Sequence, residues 1–93
     1  MALSLKYLES RKGIKCLICA NEGDRHHLKA VGAGRDRTKP HWEHFTIINL
    51  CREHHTELHQ TGEKKFSEKH YINLWKYALL SLAKWLFKKE EAV

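Results

Sequence analysis

Eight histidines and three cysteines in 93 residues fall mostly into pairs whose spacing suits metal ligation. Cys16-Leu17-Ile18-Cys19 and Cys51-Arg52-Glu53-His54 each set two donors apart by two residues, so that one tight turn can present both. Zinc takes four thiolate or imidazole ligands in a tetrahedron, and three cysteines with one histidine are a standard structural set. With every position filled by protein, no place is left for substrate. The set therefore reads as a clamp fastening two halves of a domain. A redox role for Cys16 and Cys19 would want a neighbouring βαβ pattern, and none is visible.

The remaining histidines form a second group. His55 and His59 lie four residues apart among good helix formers, so both imidazoles project from one helix face and can share an ion. His54 points to another side and is free to serve the zinc. His26 and His27 are adjacent, and on a strand they face opposite ways and divide their duties. His41 and His44, flanking Trp42 and Glu43, read as structural, and His70, alone on a helix, as solvated.

The elements that must position these residues follow from pattern. Residues 3 to 12 suit a short helix that Gly13 closes, and Ile14 to Ala20 a knuckle around the first cysteine pair. His26 to Val31 reads as a short strand. Gly32 to Pro40 is a Gly-containing basic loop, and β-branched Phe45 to Leu50 a second strand. Cys51 to Gln60 reads as a helix ended by Thr61-Gly62. Tyr71, Trp75, Ala78, Leu79, Leu82 and Leu86 recur at helical spacing, which predicts one long amphipathic helix over Ser67 to Lys89, within about 66–90. Its further aromatics, Tyr77, Trp85 and Phe87, exceed what one face needs and suggest a homodimer interface or a dock for another domain.

The length suits one compact domain, residues 1–93 with a core of about 14–62, and a domain this small often needs a metal staple. A net charge of +6 and a pI near 9.4 favour an acidic partner, nucleic acid before an anionic membrane. An odd cysteine count argues against a disulfide framework. The N-terminus lacks the apolar core of a signal peptide, and no apolar run approaches a membrane span. The chain reads as soluble and cytoplasmic, with no membrane partner.

The succession CLIC, DRHHL and NLCREHHTELH resembles the HNH endonuclease family, of the ββα-metal fold, over roughly Lys15 to Gly62. The stretch RHHLKAVGAGRDR…HWEHF…LCREHHTELHQTG is particularly similar to phage- and prophage-encoded HNH nucleases, and the histidine pairs to those of colicin-type DNases. The resemblance implies an α+β fold: a small zinc-braced ββα-metal domain with flanking N- and C-terminal helices. It implies that His26, His55 and His59 hold a catalytic Mg²⁺ or Mn²⁺, a site that Ni²⁺, Co²⁺ or Zn²⁺ could also occupy. His27 would be the general base that activates water against a DNA phosphodiester. The host cytoplasm is the implied location if the chain is phage-encoded.

The family's central Asn, which braces the loop bearing the base, falls about five residues before the second cysteine pair. Thr46 stands there, and Asn49 lies two residues before Cys51. The reading leans to Asn49, through a shifted strand, with Thr46 as the other candidate. Lys29, Arg35, Arg37 and Lys39 in or beside the basic loop, and Arg52 beside the metal helix, are the candidates for phosphate contact. Two rival functions share parts of this pattern: a non-catalytic zinc module that binds nucleic acid, and a protein-interaction adaptor using the aromatic helix.

Overall fold

The computed structural model describes residues 1–91. A first helix, α1 (Leu3–Ser10), precedes a metal-type knuckle and a two-stranded antiparallel sheet of β1 (Asp24–His27) and β2 (Ile47–Leu50). Three helices follow: α2 (Arg52–Thr61), α3 (Glu63–His70) and α4 (Leu74–Glu91). The architecture is α+β, as the sequence predicts.

The last carbonyls of a helix have no partner within it. In α1 they are met from three places. Ser10 Oγ donates to the Tyr7 carbonyl at 2.6 Å, Arg25 Nη1 to Leu8 O at 2.9 Å, and Asn49 Nδ2 to Arg11 O at 2.9 Å. Arg25 and Asn49 are cross-strand partners in the sheet, so these bonds seat α1 on one sheet face. Tyr7 is fully buried there, against Phe45 and Trp85.

The knuckle folds by local bonds. Cys16 N–H donates to Asn21 O at 2.7 Å and Ala20 N–H to Cys16 O at 3.0 Å. Lys15 and Glu22 form a bridge across it. Gly23 passes so close that a Cβ would sit 2.8 Å from Ile14 O and 2.9 Å from Cys16 N, so only glycine fits. Leu17 N–H then donates to Asn49 O at 2.9 Å, joining the knuckle to β2.

The register pairs Asp24 with Leu50, Arg25 with Asn49, His26 with Ile48 and His27 with Ile47. Alternation places His27, Arg25 and Asn49 on the α1 face and His26 on the opposite face, toward α2. Every residue of β2 is buried. Ile48 and Leu50 join Cys16, Cys51, Leu58, Phe66, Leu74 and Ala78 in the core.

Both strands are shorter than their sequence patterns suggest. β1 starts two residues earlier than His26 and stops at His27, where the chain turns so that Leu28 N–H donates to Thr46 O at 3.1 Å. Trp42–Thr46 is a 3-10 turn, so β2 begins at Ile47 and not at Phe45.

The single helix predicted over Ser67 to Lys89 is two helices. Tyr71 adopts a left-handed conformation (φ 52°) and lies 97% exposed, ending α3. Asn73 Oδ1 then accepts from Lys76 N–H at 3.0 Å, capping the start of α4. The buried residues of α4 are Leu74 and Ala78, while Trp75 and Leu79 of the predicted stripe are exposed. Among the described residues, no helix is long and apolar enough to cross a membrane.

Candidate metal centre and catalytic cleft

Cys16 and Cys19 on the knuckle meet Cys51, at the N-cap of α2, and His54 in its first turn. Their donor atoms all lie within 4.8 Å of one another. Cys16 Sγ to His54 Nδ1 is 3.7 Å, Cys19 Sγ to Cys51 Sγ is 3.7 Å, and Cys51 Sγ to His54 Nδ1 is 3.1 Å. Zinc–sulfur bonds of about 2.3 Å in a tetrahedron subtend an S···S edge of about 3.8 Å. The donor chemistry and two of these three edges fit zinc, and the cluster could hold it. Burial pushes the Cys16 thiol up, but hydrogen bonding to the backbone of Cys51, Cys19 and Ile18 outweighs this and brings it to about 6. A thiol so tuned is readily available as thiolate, the ligating form.

His26, His55 and His59 form a second cluster, also within 4.8 Å. The i,i+4 pair on α2 brings the Nε2 atoms of His55 and His59 to 3.0 Å, and His26 Nδ1 reaches across from β1 to 2.9 Å from His55 Nε2. His55 Nε2 carries at most one proton, so it cannot form full hydrogen bonds to both neighbours at once. The two separations at His55 Nε2 instead match the edge between adjacent corners of an octahedron with bonds of about 2.1 Å, which is about 3.0 Å. Such a set could hold a divalent ion and leave positions open. Burial, and then the nearby His55, His59 and His27, lower His26 to about 4; burial and His59 likewise lower His55. Both rings are neutral near pH 7, with lone pairs to offer.

His27 turns the other way, into a cleft of about 440 Å³ that it shares with Arg25, Arg37, Thr38 and His44, walled on the α1 side by Leu5, Leu8 and Glu9. Its pKa is depressed to about 4 by burial, then by His44, Arg37 and Arg25. A bare ring nitrogen at neutral pH can accept a proton, and two guanidinium groups beside it can hold an anion. His27 Nε2 lies 3.0 Å from Nδ1 of His44, which is fully buried, and His44 Nε2 lies 3.0 Å from the Lys39 carbonyl oxygen.

The two candidates for the bracing role separate. The Asn49 amide is spent on Arg11 O, at the C-cap of α1, away from the segment after His27. The Thr46 hydroxyl is what reaches that segment, accepting from Lys29 N–H at 3.1 Å while donating to Glu43 O at 2.8 Å.

The basic residues separate as well. Arg37 lines the His27 cleft. Arg35 is exposed, but its guanidinium is engaged within the loop: it donates to the buried Glu43 carboxylate at 2.7 Å, to Val31 O at 3.0 Å and to His41 Nδ1 at 2.7 Å. Lys29, Lys39 and Arg52 present exposed side chains.

Three residues escaped the sequence reading. Arg25 sits two positions before His27 on the same strand face, and strand alternation alone would have flagged it. His44 carries no local signal, because its contact with His27 depends on the path of the intervening loop. His70, expected to be solvated, is mostly covered: its ring packs on Phe66, with centroids 4.4 Å apart, and its Nε2 pairs with Glu57 of α2.

The profile of a protein family described as "Putative HNHc nuclease" matches residues 4–89. No curated protein and no solved structure matches the chain. The matched span includes nearly all of α1 and α4.

Proposed function

The chain belongs to the HNH nuclease family, and from that premise we propose that it is a metal-dependent DNA endonuclease. The observation that carries this reading is the division of labour at the end of β1. His26 converges with His55 and His59 on one side of the sheet, while His27 opens on the other into a cleft with two arginines.

In this reading His26, His55 and His59 hold Mg²⁺ or Mn²⁺, which supplies Lewis-acid stabilisation of the charge that develops on the scissile phosphate. Arg25 and Arg37 bind non-bridging phosphate oxygens and give register without sequence information. Neutral His27 takes a proton from water. The water oxygen forms the new bond to phosphorus, the bond to the 3′ oxygen breaks, and the departing oxygen takes its proton from solvent. A 5′ phosphate and a 3′ hydroxyl result. Thr46 braces the segment that follows the base. Cys16, Cys19, Cys51 and His54 hold a structural zinc that ties the knuckle to α2 and so fixes His55 and His59 relative to His26. Lys29, Lys39 and Arg52 are left to the DNA backbone.

The test is cleavage of supercoiled plasmid with Mg²⁺, Mn²⁺ or Ni²⁺, comparing the wild type with His27→Ala. Nicking that is lost in a folded, zinc-replete His27→Ala supports the reading. Equal cleavage by both removes His27 as base. Retained DNA binding without cleavage under any metal favours a non-catalytic nucleic-acid-binding module.

A further inference from the structure

We propose that His44 is a positioning residue that locks His27 in the tautomer protonated at Nε2, so that Nδ1 is the nitrogen that receives the proton from water. The inference rests on the reading of His27 as the base and deepens it.

A carbonyl oxygen only accepts hydrogen bonds. His44 Nε2 lies 3.0 Å from Lys39 O and therefore carries a proton. In a neutral ring the other nitrogen, Nδ1, is then a bare acceptor. Nδ1 lies 3.0 Å from His27 Nε2, so His27 Nε2 must be the donor and its Nδ1 must be free. The opposite polarity would need a doubly protonated His44. That ring is fully buried and, among the described residues, neither of its nitrogens is hydrogen-bonded to a carboxylate; the neighbouring Glu43 carboxylate gives Oε2 to Arg35, and its buried Oε1 is not paired with His44. A second proton on that ring would meet no carboxylate at either nitrogen, only the His27 ring and the Lys39 carbonyl. The chain from His27 through His44 to the Lys39 carbonyl therefore has one polarity. It also anchors the base to the basic loop, since Lys39 lies in it. When His27 gains its proton, the Nε2–H bond to His44 persists, which orients the imidazolium much as a buried acceptor orients the base of a hydrolytic triad.

The experiment is ring ¹⁵N NMR of the zinc-replete full chain, paired with plasmid-cleavage kinetics. His27 should show a protonated Nε2 and a bare Nδ1. Folded His44→Ala should lose this preference and cut with a kcat about tenfold to a hundredfold lower, KM changing less than twofold. His44→Asn, whose Oδ1 can stand where Nδ1 stood, should recover the tautomer and most of the rate, and His44→Gln should not. A wild-type His27 protonated at Nδ1, or full kcat in folded His44→Ala, overturns the proposal. If His44→Ala does not fold, the wild-type spectrum and His44→Asn decide. The spectrum judges the tautomer whether or not DNA is cut. The expected tautomer in a chain that never cleaves overturns the nuclease reading, and with it the catalytic half of this proposal, but not the lock.

Discussion

Thr46 Oγ1 accepts the backbone N–H of Lys29 at 3.1 Å, two residues past His27, and so ties the exit of β1 to the entrance of β2. The same hydroxyl donates to Glu43 O and is buried, so water cannot replace it easily. Thr46→Val keeps the shape and deletes both bonds. It should lower stability by about 1–3 kcal/mol, the cost of leaving polar groups unpaired. It should also slow cleavage, because the segment leaving His27 is freed. Thr46→Ser should restore most of both. Urea melts and kcat on the three proteins decide; a Thr46→Val with wild-type stability and rate removes the brace.

Asn49 gives the contrasting result. Its amide holds the C-terminal end of α1 and, among the described residues, makes no bond to the His27 segment. Asn49→Ala should lower the melting temperature, by roughly 4–8 °C for each 1 kcal/mol lost in a domain of this size. The rate per folded molecule should stay within a few-fold of wild type. A large loss of kcat in a folded Asn49→Ala would return the bracing role to Asn49.

How much of this was legible beforehand depends on the range of the interaction. The pairs that converge in the two clusters were readable because each is local: two residues between Cys16 and Cys19, one helical turn between His55 and His59. The opposite facing of His26 and His27 follows from strand pleat alone. The break at Tyr71 was hidden because a non-glycine residue takes the left-handed conformation and the apolar spacing runs on past it; Asn73, a good cap, was the available clue. The contacts of Asn49 with Arg11 and of His44 with His27 were not legible, because each partner is brought near only by the tertiary path, and those of Arg35 depend on how an irregular loop folds back on itself. The charge of the basic loop likewise did not reveal that one of its arginines is paired with a buried carboxylate.

Arg35 and Arg37 should therefore part company on substitution. Arg35 compensates the Glu43 carboxylate, which is 3% exposed, whereas Arg37 lines the cleft beside His27. Arg35→Gln should lower the melting temperature, because a buried carboxylate loses its partner. Arg37→Gln should leave the melting temperature within error and reduce the slope of log affinity against log salt by about 1, the loss of one phosphate contact. Fluorescence anisotropy on a duplex across a salt series, with thermal melts of the same proteins, makes the comparison. The reverse pattern would assign Arg35 to the DNA.

Glu57 links α2 to α3 through His70 and Lys69, and these partners, His70 foremost, hold its carboxyl down to about 2. The folded value lies below the unfolded value of 4.5. Its contribution to stability is thus fully present above about pH 4.5 and fades as pH falls toward 2. Glu57→Gln should melt below the wild type at pH 7, with a difference that narrows between pH 4.5 and 2. Loss of metal in acid affects both proteins and cancels in the difference. A gap that is constant across that range would mean that the charge on Glu57 does no stabilising.

The two metal clusters should separate on chelation and mutation, because their donors differ. Three thiolates and an imidazole bind zinc tightly and couple it to folding, with apparent binding energies of about 10–16 kcal/mol in small zinc domains. Three imidazoles with positions left open bind an ion more weakly. Purified protein should hold one zinc per chain through dialysis against mild EDTA, while cleavage is lost and returns on adding Mn²⁺. His55→Ala should keep the zinc and the melting temperature and abolish cleavage. Cys51→Ser should lose zinc and melt far lower, since Cys51 is both a proposed ligand and the N-cap of the helix that carries His55 and His59. Elemental analysis beside thermal melts reads each arm. Zinc lost from His55→Ala but retained in Cys51→Ser would exchange the roles of the two clusters.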